Sequence, residues 1–184
     1  MLIRKPFYFM RHGQTDWNKE GRIQGHTDIP LNTVGQEQAL QVQKHIDTLP
    51  HIKQIFYSPL QRAQETMHIS CQNLNVPKRA LPELKERHRG HLEGMTPDQY
   101  LLINVNDNDP SFGETTTEYH DQVLRGINHA LSHDDPVLIV AHGGTYYALC
   151  YFMGIEVEKF ANCKLVLCTP STIDACWSIQ HINI

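Results

Sequence analysis

Long apolar runs, paired cysteines and an excess of positive charge are all missing from this 184-residue chain. The longest stretch of low polarity, Tyr146–Ile155, is ten residues, well short of the ~20 needed to cross a bilayer. Arg4 and Lys5 arrive before any apolar h-region can develop, so no signal peptide is read at the amino end. The five cysteines (Cys71, Cys150, Cys163, Cys168 and Cys176) are odd in number and include no CxxC pair. Neither a disulfide framework nor a zinc module is expected from them, and a reducing, cytoplasmic setting follows. Lys and Arg total 16 against 20 Asp and Glu, a formal charge of −4. That balance argues against a nucleic-acid partner or an anionic membrane while leaving room for a local basic pocket. No repeat, low-complexity tract or Gly/Ser linker divides the chain, so one domain over residues 1–184 is expected.

What is present is enough to build a core. Hydrophobic residues make up 40 % and charged residues 20 %, and a domain of this length buries roughly 70 % of its unfolded surface. Apolar runs of strand length alternate with stretches of helical period, the pattern of an α/β protein. The expected fold is a three-layer α/β/α sandwich around a mostly parallel sheet. Phe7–Met10, Ile52–Tyr57, Val137–Ala141, Leu165–Thr169 and Ile173–Ile182 read as strands, with Arg79–Leu84 as a weaker one. Asn32 is placed to cap a helix carrying Val34, Ala39, Leu40 and Ile46. Ser58-Pro59-Leu60-Gln61 reads as another helix start, with Ser58 at the N-cap and Gln61 closing a capping box. Thr115 and Glu118 form a similar box, opening a helix with Tyr119, Val123, Ile127 and Leu131 on one face. A further helix covers Thr145–Met153, with Cys150 as core packing.

Two strand ends are alike. Phe7–Met10 runs into Arg11-His12-Gly13, and Val137–Ala141 runs into His142-Gly143-Gly144. In open α/β sheets ligands sit at the carboxyl ends of strands, so both histidines are directed to one crevice. Arg62 lies in the first turn of the helix after Ile52–Tyr57, where free N–H groups and a fork-shaped cation favour an anion. Two histidines, two arginines and a helix start at one sheet edge predict a phosphate pocket. The i,i+3 pair His88 and His91 has no third ligand in its pattern, so no metal site is read there.

At these residues the chain resembles the histidine phosphatase superfamily, the phosphoglycerate-mutase-like fold. Arg11-His12-Gly13-Gln14-Thr15-Asp16-Trp17-Asn18 is similar to the family's opening signature, continued by Gly21-Arg22-Ile23-Gln24-Gly25 and then Asp28, Pro30 and Leu31. Gly35, Gln38 and Ala39 follow, and Ser58-Pro59-Leu60 with Arg62, Ala63 and Thr66 resembles the second block. Glu83-Leu84-Lys85-Glu86-Arg87 with Gly90, Glu93 and Gly94 looks like the third, and Gly113-Glu114-Thr115 with Arg125 like the fourth. His142-Gly143-Gly144 matches the last, and the tail after Gly154 adds nothing specific. Asn32 and Glu65 depart from the threonine and glutamine common in the family, and little is expected from either.

The resemblance implies that His12 is a nucleophile that becomes phosphorylated. Arg11, Arg62 and His142 would hold the phosphoryl oxygens, with Asn18 and the start of the last helix at Gly143 as further donors. Gln24 and Gly25 would border the substrate, and Trp17 would pack the loop over the site. Glu86 would be the general acid and base, since Lys85-Glu86-Arg87-His88 resembles the mutase branch's Asn-Glu-Arg-His. Phosphatase-type branches fit a glutamate nearer Glu83, so both stay open here. The chemistry is consistent on its own terms. Charge on the equatorial oxygens of a phosphoryl group in transfer is met by fixed cations and N–H donors. Neutral histidine attacks phosphorus without a separate base, and a carboxylic acid protonates the leaving alkoxide. No metal and no cofactor are called for.

The expected activity is a phosphomonoester hydrolase. Phosphoglycerate mutases of the family are longer over the site and carry His-Gly-Asn where this chain has His142-Gly143-Gly144. The run around Glu86 leans towards a mutase, and a non-catalytic phosphate-binding module is the third reading. Thr96–Phe112 reads as one modest insertion, and Arg87–Glu114 as the leaving-group side of the pocket. Its Arg87, Arg89, His91, Leu101, Leu102 and Phe112 fit a sugar phosphate, a nucleotide-like phosphate or a phosphoprotein equally. Oligomeric state is not readable from the pattern.

Overall fold

Strands buried on both faces read as continuous apolar runs, and two such runs sit side by side at the centre of this protein. The computed structural model describes residues 1–49, 52–106, 109–133 and 136–182. In chain order the elements are β1 (Phe7–Arg11), α1 (Asp16–Glu20), α2 (Thr33–Ile46), β2 (Gln54–Tyr57), α3 (Gln61–Ser70) and β3 (Lys78–Ala80). They continue with α4 (Pro97–Leu101), α5 (Thr116–Leu131), β4 (Val137–Ala141), α6 (Gly143–Met153), β5 (Leu165–Pro170) and β6 (Trp177–Ile182). The six strands form one sheet in the order β3-β2-β4-β1-β5-β6. The first four of these run parallel, and β5 and β6 add antiparallel.

Alternation along the central strands divides the core in two. Phe7, Phe9, Phe56, Ile139 and Ala141 face α5 and α6, packing on Val123, Ile127 and Leu149. Tyr8, Met10, Ile55, Leu138 and Val140 face α2 and α3, packing on Val42, Ile46 and Met67. Helices therefore cover both faces, giving the expected three-layer sandwich. Each fully buried side chain of this size contributes roughly 1.5–3 kcal/mol of transfer free energy, so the two layers hold the sheet edge rigidly.

Several local readings change. In α2 the buried positions are Gly35, Ala39, Val42 and Ile46, while Val34 and Leu40 are exposed. Its cap is as expected, with the Asn32 side chain accepting from the Gly35 N–H. Ser58 does not cap α3. That helix begins at Gln61, after Leu60, and its Gln61 N–H donates instead to Asp28 Oδ1 at 2.6 Å. Arg79–Leu84 is strand only as far as Ala80. Pro82 has no N–H for a ladder, and Pro82–Leu84 forms a 3₁₀ turn. The last strand starts at Trp177 rather than Ile173. Thr96–Phe112 carries α4 and the 3₁₀ turn Pro110–Phe112, with 107 and 108 outside the described residues.

Register places the chemistry. Arg11 pairs with Ala141 and Tyr57 with Val140, so β1, β4 and β2 end at one level. His12, His142 and Ser58 are the next residues along. The His12 N–H donates to Ala141 O at 2.9 Å and the Ser58 N–H to Val140 O at 3.0 Å, extending the ladder by one step.

Candidate active site

The ladder bonds leave the two histidine rings 5.2 Å apart between centroids. His12 Nδ1 lies 2.7 Å from the Gly13 carbonyl. A carbonyl only accepts, so Nδ1 carries the ring hydrogen and Nε2 keeps its lone pair. Burial, and then the charges of Arg62 and Arg11, hold the His12 pKa well below 6.5. His142 is buried and lowered in the same way, by desolvation first and then by Arg62, His12 and Arg11. Its Nε2 lies 2.7 Å from Ser58 Oγ, while its buried Nδ1 has no partner among the described residues.

Two arginines flank the rings. Arg62, wholly buried in the first turn of α3, donates from Nη1 to Thr27 O at 3.0 Å and from Nη2 to Gly25 O at 2.8 Å. Arg11 donates from Nη1 to Phe160 O. Burial lowers both guanidinium pKa values and the nearby Glu86 charge opposes that, so both remain cations. The Nε of each is buried without a partner among the described residues, as is His142 Nδ1. Unpaired buried donors are costly, and two on cations that border the same pocket make a site for an anion.

The loop after β1 completes that side. Asn18 Oδ1 accepts from the Thr15 N–H at 3.2 Å and from Asn162 Nδ2 at 3.1 Å, which leaves the Asn18 amide N–H groups for the pocket. Gln24 borders the pocket with its Oε1 3.0 Å from the Thr15 hydroxyl. Gly25 has φ +53°, and a Cβ there would lie 2.1 Å from Glu93 Oε1. Glu93 accepts from the N–H groups of His26, Thr27 and Arg89 and from the Thr27 hydroxyl. Burial alone would raise its pKa, but these donors outweigh it and lower it.

The two candidate acids separate. Glu86 lines the pocket, its Oε1 accepting from the Arg87 N–H at 2.9 Å and the Tyr119 hydroxyl at 3.0 Å. Its Oε2 accepts from the Gly144 N–H, in the first turn of α6, at 3.1 Å. Glu83 packs on α5 at Gly126 instead and does not border the pocket. Gly143 sits beside the Arg11 guanidinium, 3.5 Å from where its Cβ would be.

The pocket has a volume of about 470 Å³. Its outer wall holds Arg22, Arg87, Arg89, His120, Tyr147 and Tyr151. Arg22 stacks 4.2 Å over the Trp17 ring and donates to Gly94 O, so Trp17 acts through Arg22 and does not itself line the pocket. Of the expected leaving-group segment, Arg87 and Arg89 face the pocket, whereas Leu101 and Leu102 are 80 % and 87 % exposed and lie outside it. His91 and Phe112 also lie outside it, and His88 stands beside His26 and Glu93.

Sequence reasoning missed several contributors. Asn162, in the tail that carried no motif, donates to the carbonyls of His12 and Gly13 as well as to Asn18. Ser58 was expected at a helix cap and instead meets His142. Tyr119 lies on the core face of α5 as its spacing predicts, and its hydroxyl, which needs a partner when buried, reaches Glu86. Tyr147 and Tyr151 had no signal beyond the helical pattern of α6.

A family model of the histidine phosphatase superfamily (branch 1) matches residues 7–180. The chain belongs to that superfamily. A Bacillus subtilis (strain 168) relative described as the uncharacterized phosphatase PhoE is 34 % identical over 181 residues, 95 % of this chain and 92 % of its own. The probable phosphoglycerate mutase GpmB of Cronobacter sakazakii is 30 % identical over 182 residues, covering 91 % and 83 %. Among solved structures, a mycobacterial glucosyl-3-phosphoglycerate phosphatase in complex with VO3 superposes with a TM-score of 0.81 at 22 % identity, over 97 % of this chain and 98 % of that one. At that identity the likeness is one of fold. Histidine phosphatase superfamily relatives thus carry both phosphatase and mutase names.

Proposed function

We propose that this protein hydrolyses phosphomonoesters through a phosphohistidine on His12. The observation that carries the reading is the buried imidazole, hydrogen-bonded at Nδ1 to Gly13 O and flanked by Arg11, Arg62 and His142. The Nε2 lone pair attacks phosphorus, and the ester P–O bond breaks with its electron pair going to the leaving oxygen. Glu86 protonates that oxygen. Water then attacks the phosphohistidine, Glu86 takes a proton from it, the N–P bond breaks, and inorganic phosphate leaves. Arg11, Arg62, His142, Asn18 and the Gly143 end of α6 hold the equatorial oxygens throughout, while Gln24 and Gly25 border the ester. The arginines supply the charge a metal would otherwise supply, so turnover is expected to survive EDTA. Loss of activity on chelation would overturn that part of the reading.

The substrate class follows from the outer wall. Arg22, Arg87 and Arg89 stand beyond the phosphoryl cations, and Glu86 is the one carboxylate among the pocket-lining residues. A small phosphomonoester whose alcohol carries a second negative charge fits this better than a phosphoprotein. One catalytic domain over residues 1–184 suffices, and the five free thiols suit the reducing cytoplasm. No helix among the described residues is long and apolar enough to cross a membrane. Phosphoglycerate mutase chemistry is the second reading, favoured by the run around Glu86 and by the GpmB likeness.

Phosphorus NMR of the protein with 3-phosphoglycerate, a trace of 2,3-bisphosphoglycerate and, separately, 4-nitrophenyl phosphate separates these readings. Inorganic phosphate from wild type and none from His12→Ala is the expected result. A 2-phosphoglycerate signal would establish the mutase. Binding of phosphate with no turnover of either ester would favour a non-catalytic phosphate-binding module.

A further inference from the structure

Every hydrogen-bonding site on one oxygen of Glu86 is occupied. A carboxylate oxygen offers about two lone-pair positions. On Oε1 they are taken by the Arg87 N–H at 2.9 Å and the Tyr119 hydroxyl at 3.0 Å. Among the described residues Oε2 receives one donor, the Gly144 N–H at 3.1 Å. The Tyr119 hydroxyl has a single hydrogen, and it is directed at Glu86. The contact between Tyr119 Oη and Thr145 Oγ1, 3.2 Å, therefore has Thr145 as donor. The result is a one-way chain from Thr145 to Tyr119 to Oε1.

We infer that Tyr119 is a positioning residue for Glu86, holding Oε1 as a permanent acceptor so that Oε2 is the atom that gives and takes the proton. This rests on the reading of Glu86 as the general acid and base. A proton on Oε1 would have to displace either the Arg87 N–H or the Tyr119 hydroxyl, whereas a proton on Oε2 breaks neither bond. Tyr119 is not itself the acid, since burial and the Glu86 charge push its ionisation well above 10. The other charged or titratable groups around the carboxylate are Arg11 and Arg62. Arg87 contributes through its N–H, and His26 bonds the Glu86 carbonyl at 2.8 Å.

Gly144 closes the arrangement from the opposite side. A Cβ there would lie 2.1 Å from Oε1 and 3.1 Å from the Tyr119 oxygen. Any side chain at this position would push the carboxylate off both Tyr119 and the α6 N–H. The second glycine of His142-Gly143-Gly144 thus leaves the room that this placement of the Glu86 carboxylate occupies.

The test compares kcat/KM, which reports the step that expels the leaving group, for 3-phosphoglycerate and 4-nitrophenyl phosphate. An alkoxide needs the proton from Glu86, and a nitrophenolate leaves almost without it. Tyr119→Phe and Gly144→Ala are expected to lower kcat/KM for the aliphatic ester about tenfold or more, within the 10²–10⁴ range of general acid catalysis. The aryl ester should change by less than about threefold on the same argument. An equal fall for both esters in both variants, or no fall in either, would overturn the inference. Glu86→Gln runs beside them. If it shows no leaving-group dependence, the acid assignment itself fails. If it does while the other two variants do not, only the role of Tyr119 fails. Thermal melts of each variant confirm that folded protein is compared.

Discussion

A histidine buried between two guanidinium groups stays neutral, and that neutrality is linked to stability. His12 and His142 both have folded pKa values well below the ordinary 6.5. Above about pH 6.5 neither the folded nor the unfolded state protonates them. Below it the unfolded chain takes up protons that the folded one refuses, so stability is lost as pH falls from about 6.5 towards the lowered folded values. Urea midpoints should therefore drop between pH 7.5 and 5.5, and drop less in a His12→Asn, His142→Asn double variant. A midpoint that rises on acidification would contradict the burial argument. Arg62→Lys tests the neighbouring cation. Its fork spans the carbonyls of Gly25 and Thr27, 2.8 and 3.0 Å away, which a single ammonium does not reproduce. We expect kcat to fall about 10²-fold, the scale of losing one preorganised donor to a developing charge. An unchanged kcat would remove Arg62 from the phosphoryl site.

At the scale of elements, α3 shows how local pattern and tertiary contact compete for one residue. Ser58-Pro59-Leu60-Gln61 has the letters of a capping box, yet the Ser58 hydroxyl is 2.7 Å from His142 and the helix is capped by Asp28 from a distant loop. Asp28→Ala should cost about 1 kcal/mol. For a domain of this size that is a melting temperature lower by about 2–4 °C, with turnover nearly unchanged. Ser58→Ala should instead reduce turnover, because it leaves Nε2 of a buried histidine unpaired. Paired melting curves and rate assays distinguish the two. The opposite pattern would restore the capping role of Ser58.

Across the whole molecule the charge is −4, while the pocket lining gathers Arg11, Arg22, Arg62, Arg87 and Arg89 with Glu86 as its one carboxylate, Arg22 also pairing with Glu20 outside it. A cationic cleft in an anionic body focuses small anions and repels acidic surfaces. We expect kcat/KM for 3-phosphoglycerate to fall as salt rises from 0.01 M to 1 M, where the Debye length shrinks from about 30 Å to about 3 Å. Arg89→Ala should raise KM for that substrate, whose leaving group carries a carboxylate, several-fold, and for 4-nitrophenyl phosphate by less than about twofold, as loss of one rim charge pair predicts. Equal increases for both esters would place Arg89 on the phosphoryl group rather than on the leaving group.

How much of this was legible depended on distance along the chain. The sandwich, the parallel core and the meeting of His12 with His142 follow from short-range pattern. Apolar runs of strand length define β1 and β4, and a strand end directs the residue after it, so Arg11-His12-Gly13 and His142-Gly143-Gly144 could be placed before any contact was known. Arg62 followed from its seat in a first helical turn. Asn162 could not be placed in this way. It reaches the site because β5 runs antiparallel beside β1, which sets the Cys163 N–H on His12 O and the Arg11 N–H on Lys164 O. The cap of α3 by Asp28 and the hydroxyl of Tyr119 on Glu86 were equally beyond reach, whereas the motif around Glu86 already favoured it over Glu83, and it is Glu86 that lines the pocket. Charge, lone pairs and helical or strand period belong to the residues and are read without any fold. Which of those residues meet is a property of the folded chain, because hydrogen bonds and electrostatic fields act over a few ångströms of space and take no account of separation along the chain.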